Sequence, residues 1–91
     1  MTIRKKVTVA NPQGLHARPA SIFVKIANKF ESEITVTKED QTVNAKSIMG
    51  LLMLGAQCQT PLTVIVDGNE AQAAMTEFEG FFSKQEEELV K

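Results

Sequence analysis

His16 is the only histidine of the chain, and Arg18 stands two positions after it, within Asn11-Pro12-Gln13-Gly14-Leu15-His16-Ala17-Arg18-Pro19-Ala20. A neutral imidazole is available near physiological pH and is a nucleophile. Its ring nitrogen can attack phosphorus, hold a phosphoryl group and release it to another acceptor. The loaded group is a multiply charged anion and calls for positive charge nearby. Arg18 offers a permanently charged fork that matches phosphate oxygens. A helix beginning at Ala17 offers free N–H groups and the positive end of its dipole. Gly14 lets the backbone turn tightly beside the site.

The same spacing also fits a histidine that merely caps a helix and an arginine that is a surface charge. No second general base, glycine-rich phosphate loop, paired carboxylate or metal cluster accompanies His16 in the sequence. If the imidazole reacts, it therefore serves as acceptor and donor for the active sites of other proteins.

The elements that must position these residues follow from hydrophobic patterning. Ile3–Ala10 alternates, with Ile3, Lys5, Val7 and Val9 on one side, and predicts a half-buried strand. Asn11-Pro12-Gln13-Gly14 ends it as a turn. Ala17–Lys29 predicts a helix with Pro19 in its first turn and an apolar stripe of Phe23, Ile26, Ala27 and Phe30. Glu33–Lys38 and Thr42–Ala45 predict a hairpin around Glu39-Asp40-Gln41. Ile48–Leu54 predicts a short helix, with Ser47 as N-cap and Gly55 just past the end. Apolar all round, that helix must be partly buried or present a patch to a partner. Leu62–Asp67 predicts a strand. A last helix is expected with Asn69 as cap, Gln72 in the capping box, and a stripe of Ala71, Ala74, Met75, Phe78, Phe81 or Phe82, and Leu89. Gly80 weakens this helix, and Glu86-Glu87-Glu88 opposes its dipole, so the end is expected to fray.

The order is βαββαβα. Each strand has one apolar side, which predicts an α+β open-faced sandwich: a four-stranded, mainly antiparallel sheet with three helices on one face. Residues 1–91 are read as a single domain, since 91 residues leave no room for a second core. A formal net charge of −1 gives no global pull toward nucleic acid or an anionic membrane. Arg4, Lys5 and Lys6 are read as a solvated strand edge. Cys58 is the only cysteine, so no internal disulfide is possible, and it is read as an ordinary thiol. No metal and no cofactor are expected. Lacking an apolar run near Met1, the chain is read as cytoplasmic and not inserted in a membrane.

The block Gly14-Leu15-His16-Ala17-Arg18-Pro19-Ala20 resembles the active-site signature of the HPr family, the histidine-containing phosphocarriers of the bacterial phosphoenolpyruvate-dependent sugar phosphotransferase system. Lys46-Ser47-Ile48-Met49-Gly50-Leu51-Leu52-Met53-Leu54-Gly55 resembles that family's regulatory-serine segment. The resemblance covers the whole chain. It implies that His16 takes a phosphoryl group on Nδ1 from enzyme I and passes it to a sugar-specific enzyme IIA, with Arg18 assisting. It implies a carrier and not an enzyme, acting as a monomer. Partners would dock on Ala17, Ser21, Lys25, Ile48, Met49 and Leu52.

In family members controlled by an HPr kinase/phosphorylase, the serine matching Ser47 is phosphorylated, and a catabolite-control regulator is a further possible partner. A phosphate there would gain from the helix start and place about two negative charges near the docking surface, weakening phosphate acceptance by His16. In this reading Ser47 is a switch between the imidazole and the docking helix. Asn28 and Gly50 stand where sugar-pathway carriers can be basic, which leaves open the nitrogen-related branch or a purely regulatory phosphoprotein. A reading of another class is an α+β ligand-binding module without phosphate chemistry.

Overall fold

The computed structural model describes the backbone of residues 1–90 and the side chains of residues 1–83. Its elements run β1 (Thr2–Thr8), α1 (Ala17–Ala27), β2 (Glu33–Lys38), β3 (Gln41–Asn44), α2 (Ile48–Met53), β4 (Pro61–Asp67) and α3 (Ala71–Val90). The strands form one sheet in the order β1-β4-β2-β3, and every neighbouring pair is antiparallel. β4, last in sequence, is thus inserted in the middle of the sheet. Ile3 pairs with Val66 and Val66 with Ile34, while Lys5 pairs with Val64 and Val64 with Val36. This register puts the apolar side of each strand on one face.

The helices cover that face. Ile34, Val36, Leu62, Val64 and Val66 are buried beneath Phe23, Leu51, Leu54, Met75 and Phe78. The Phe23 ring of α1 stacks on Phe78 of α3, with centroids 4.6 Å apart, and meets Phe81 and Phe82 edge-on. Offset and edge-on contacts suit the ring quadrupoles and fix α1 against α3. Lys5, the one charge on the apolar side of β1, reaches Glu79 of α3 at 3.2 Å. Its stem covers apolar surface while its ammonium stays wet.

α1 ends two residues before the predicted Lys29. Both the backbone N–H and the side-chain Nδ2 of Asn28 donate to the Val24 carbonyl, and the chain then tightens through Lys29 N–H to the Ile26 carbonyl. The predicted Asn69 cap is replaced. The Glu70 carbonyl accepts the first helical bond of α3, from Ala74, while the Glu70 carboxylate holds the Glu31 amide at 2.9 Å. Gln72 donates to Thr76 instead of reaching back. Leu89 and Glu86–Glu88 lie outside the described side chains. Among the described residues, no helix is long and apolar enough to cross a membrane.

Candidate functional site

The turn before His16 is built from local hydrogen bonds. The Asn11 side-chain Oδ1 accepts the Gln13 amide at 2.9 Å, and its carbonyl accepts the Gly14 amide at 2.9 Å. An asparagine that mimics a backbone turn, followed by a proline, makes this reversal cheap. Gly14 sits at φ +76°, and a Cβ there would lie 2.5 Å from the Ala56 carbonyl oxygen. Only glycine meets both demands. Leu15 is buried, and its amide donates to that same Ala56 oxygen at 2.8 Å.

His16 follows with extended backbone, φ −90° and ψ −173°, and caps α1 through its carbonyl, which accepts the Ala20 amide at 3.0 Å. Its imidazole makes no capping bond and is half-exposed. The backbone therefore does the capping, and among the described residues the ring at the mouth of the helix has no hydrogen-bond partner. Pro19, buried in the first turn, has no N–H to give, and among the described residues the Ala17 and Arg18 amides are open donors. Arg18 is exposed, and among the described residues its guanidinium has no hydrogen-bond or ion-pair partner. An imidazole, a guanidinium and two amides thus share one helix start, a set suited to an anion carried on the ring.

A second lacing holds this turn to the loop after α2. Val9 donates to the Thr60 carbonyl at 3.0 Å, Gln59 donates to the Val9 carbonyl at 2.6 Å, and the Cys58 thiol donates to the Ala10 carbonyl at 3.6 Å. Of residues 56–60, the sequence singled out only Cys58, as an ordinary thiol. These residues are the clamp that fixes where His16 stands. Sequence carried a signal for it only in Gly14.

Helix α2 is set as predicted. Ser47 Oγ accepts the Gly50 amide at 3.1 Å, and Gly55, at φ +60°, leaves the helix. Lys38 of β2 donates to the Leu54 carbonyl at 2.9 Å, a cation on the negative end of the helix. Lys46 Nζ reaches the Phe30 carbonyl at 2.6 Å. Leu51 and Leu54 are buried, whereas Ile48, Met49 and Met53 are exposed and Leu52 is half-buried. Helical spacing puts Ile48 and Leu52, and Met49 and Met53, on one outward face. Met53 was not among the docking residues read from sequence, although it lies one turn beyond Met49.

Ala17, Ser21 and Lys25 follow one another at four-residue steps along α1, Ala17 and Lys25 exposed and Ser21 half-buried. α1 packs against α2, so both sets of predicted docking residues belong to one helical layer. Ser47 caps the end of α2 opposite to the one that leads into the Ala56 clamp. It stands at the start of α2, about 9 Å of helical rise from the end clamped to the His16 turn. Exposed Ile22 belongs elsewhere. It lies on α1 off the row of Ala17, Ser21 and Lys25, while Lys29, two residues past the end of α1, pairs through its ammonium with Glu77 of α3. Among the described residues no group of three or more His, Cys, Asp or Glu could hold a metal ion.

The family model described as "PTS HPr component phosphorylation site" matches residues 3–84. The chain belongs to the HPr family. The HPr-like protein Crh of Halalkalibacterium halodurans is 45% identical, over 91% of this chain and 99% of that protein. Phosphocarrier protein HPr of Treponema pallidum is 40% identical, over 92% and 96% respectively. Among solved structures, HPr from Thermoanaerobacter tengcongensis matches with a TM-score of 0.88 at 34% identity, covering 92% of this chain and 94% of that one. An HPr dimer from the same organism matches at 0.65 and 39% identity, covering 87% and 92%. The open-faced α+β architecture is therefore that of HPr.

Proposed function

We propose that this HPr-family chain is a phosphocarrier in which His16 accepts a phosphoryl group from enzyme I, originally from phosphoenolpyruvate, and hands it to an enzyme IIA. The observation that carries this reading is the free imidazole of His16, fixed by its backbone at the head of α1 beside Arg18 and two open amides. Attack by the ring Nδ1 on phosphorus forms the N–P bond as the bond to the donor's leaving group breaks. Arg18 and the amides hold the phosphoryl oxygens. The enzyme IIA acceptor then displaces phosphorus from the imidazole, which returns to its starting state. The chain itself offers no further general base, so it is a carrier that completes the active sites of its partners and not an enzyme.

Ala17, Ser21, Lys25, Ile48, Met49 and Leu52 form the docking layer in this reading, and residues 1–91 act as one domain in the cytoplasm. The working form is a monomer. Arg4, Lys5 and Lys6 on the edge strand β1 disfavour edge-to-edge pairing of two copies. Light scattering at working concentration tests this against a dimer such as the one solved for a relative.

A second reading is favoured by the similarity to Crh and by the cap geometry of Ser47. Phosphorylation of Ser47 by an HPr kinase/phosphorylase, read by a catabolite-control regulator, would make the chain chiefly regulatory. Incubation with enzyme I and labelled phosphoenolpyruvate separates the two. The carrier reading requires acid-labile label that is lost in His16→Ala. Label that fails to appear, or that persists in this variant, overturns it. Acid-stable label from the kinase, lost in Ser47→Ala, supports the regulatory reading.

A further inference from the structure

Four methionines are distributed unequally over the fold. Met75 is 1% exposed in the core, Met1 is 74% exposed at the start of β1, and Met49 and Met53 are 68% and 70% exposed on α2. Met49 and Met53 are four residues apart on a helix, so they share the outward face that also carries Ile48 and Leu52. The helix is anchored from its other side by buried Leu51 and Leu54, by the Ser47 cap and by Lys38 at its C-terminal end. Chemistry on the two sulfurs therefore changes the surface without opening the core. Ala56, three positions past the end of this helix, holds the turn that presents His16.

We propose that Met49 and Met53 form a reversible oxidation site through which a peroxide controls docking at the His16 face. A sulfur lone pair attacks one oxygen of hydrogen peroxide, the O–O bond breaks, a sulfoxide forms, and the other oxygen leaves as water after taking up the proton. Sulfur is oxidised by two electrons and the peroxide is reduced by two. Each sulfoxide replaces a soft apolar contact with a strong dipole that must be desolvated when a partner covers it. A methionine sulfoxide reductase, drawing two electrons from a thiol donor, restores the apolar face. Met75 is shielded. Met1 lies at the far end of the sheet, where its carbonyl meets Gly68, and serves as an exposed methionine remote from the site.

This inference rests on the carrier reading, and its test separates the two. The full chain is treated with limiting hydrogen peroxide, oxidised positions are mapped by peptide mass, and phosphoryl transfer from enzyme I is measured before and after. Met49 and Met53 should oxidise well ahead of Met75. The KM of enzyme I for the oxidised carrier should rise about tenfold with little change in kcat, and reductase treatment should reverse the rise. In Met49→Leu/Met53→Leu, compared with its own untreated form, peroxide should leave KM unmoved. An equal KM before and after oxidation, or a rise that persists in the double variant, overturns the oxidation site while leaving the carrier reading intact. A chain that enzyme I labels in neither form overturns both.

Discussion

The carbonyl oxygen of Ala56 accepts the Leu15 amide at 2.8 Å and would lie 2.5 Å from any Cβ placed on Gly14. One oxygen thus holds the residue before His16 and forbids a side chain on the residue before that. The position of the imidazole depends on a contact between segments far apart in sequence. Gly14→Ala must adopt a left-handed conformation and push back a backbone carbonyl. It should destabilise the fold by about 2–4 kcal/mol, seen as a lower urea midpoint at unchanged m-value. Loss of label acceptance in the fraction that stays folded would show that the clamp also sets the geometry of His16. Unchanged stability would show that the two loops can separate freely.

Arg18 offers a contrasting case. Exposed and without a side-chain partner among the described residues, it holds nothing in place. Arg18→Ala should leave the unfolding midpoint within about 0.5 kcal/mol of the parent chain. Its loss should slow phosphoryl transfer through His16 about ten- to hundredfold, the range for hydrogen bonds to a charged group. Arg18→Lys should recover part of the rate, since it restores the charge but not the two-pronged geometry. Equal rates in all three proteins would remove Arg18 from the site.

Where residue type alone decides local geometry, the sequence was legible. Ser47 caps α2, Gly55 leaves it, Pro19 sits in the first turn of α1, and each strand alternates as read. What needed long-range pairing was not legible. Nothing in Pro61–Asp67 says that this strand lies between β1 and β2. Asn69 looked like a cap, but Glu70 is drawn to the distant Glu31 amide and the helix starts one residue later. The lacing of the His16 turn to the segment after α2, opposite the end that Ser47 caps, was hidden for the same reason.

Gly80 permits a prediction about stability alone. It lies exposed inside α3, its φ is not in the left-handed region, and a Cβ there would meet nothing within 4 Å. Glycine at such a position forfeits helix propensity without a packing reason. Gly80→Ala should stabilise the chain by about 0.5–1 kcal/mol, a rise of roughly 2–8 °C in Tm for a domain of this size. Calorimetry checks it, and an unchanged or lower Tm would mean that the glycine has a role that open space does not reveal.

Ser47 joins structure to regulation, because its hydroxyl holds the Gly50 amide at 3.1 Å and is also the proposed phosphate acceptor. Ser47→Ala removes the cap and adds no charge. It should cost about 1 kcal/mol, measured by urea unfolding, and leave transfer through His16 near its parent rate. Ser47→Asp keeps an oxygen able to cap the helix and places a negative charge at its positive end, so stability should stay near that of the parent chain. If charge at the start of α2 governs docking, transfer from enzyme I should nevertheless slow in Ser47→Asp, and more strongly at low ionic strength, where screening is weak. The two variants thus dissociate the roles, one losing stability without rate and the other rate without stability. A Ser47→Asp protein that transfers at the parent rate at every salt concentration would show that charge about 9 Å of helix away from the clamped end does not reach the partner. The regulatory reading would then have to rest on recognition of the phosphoserine itself by a further protein.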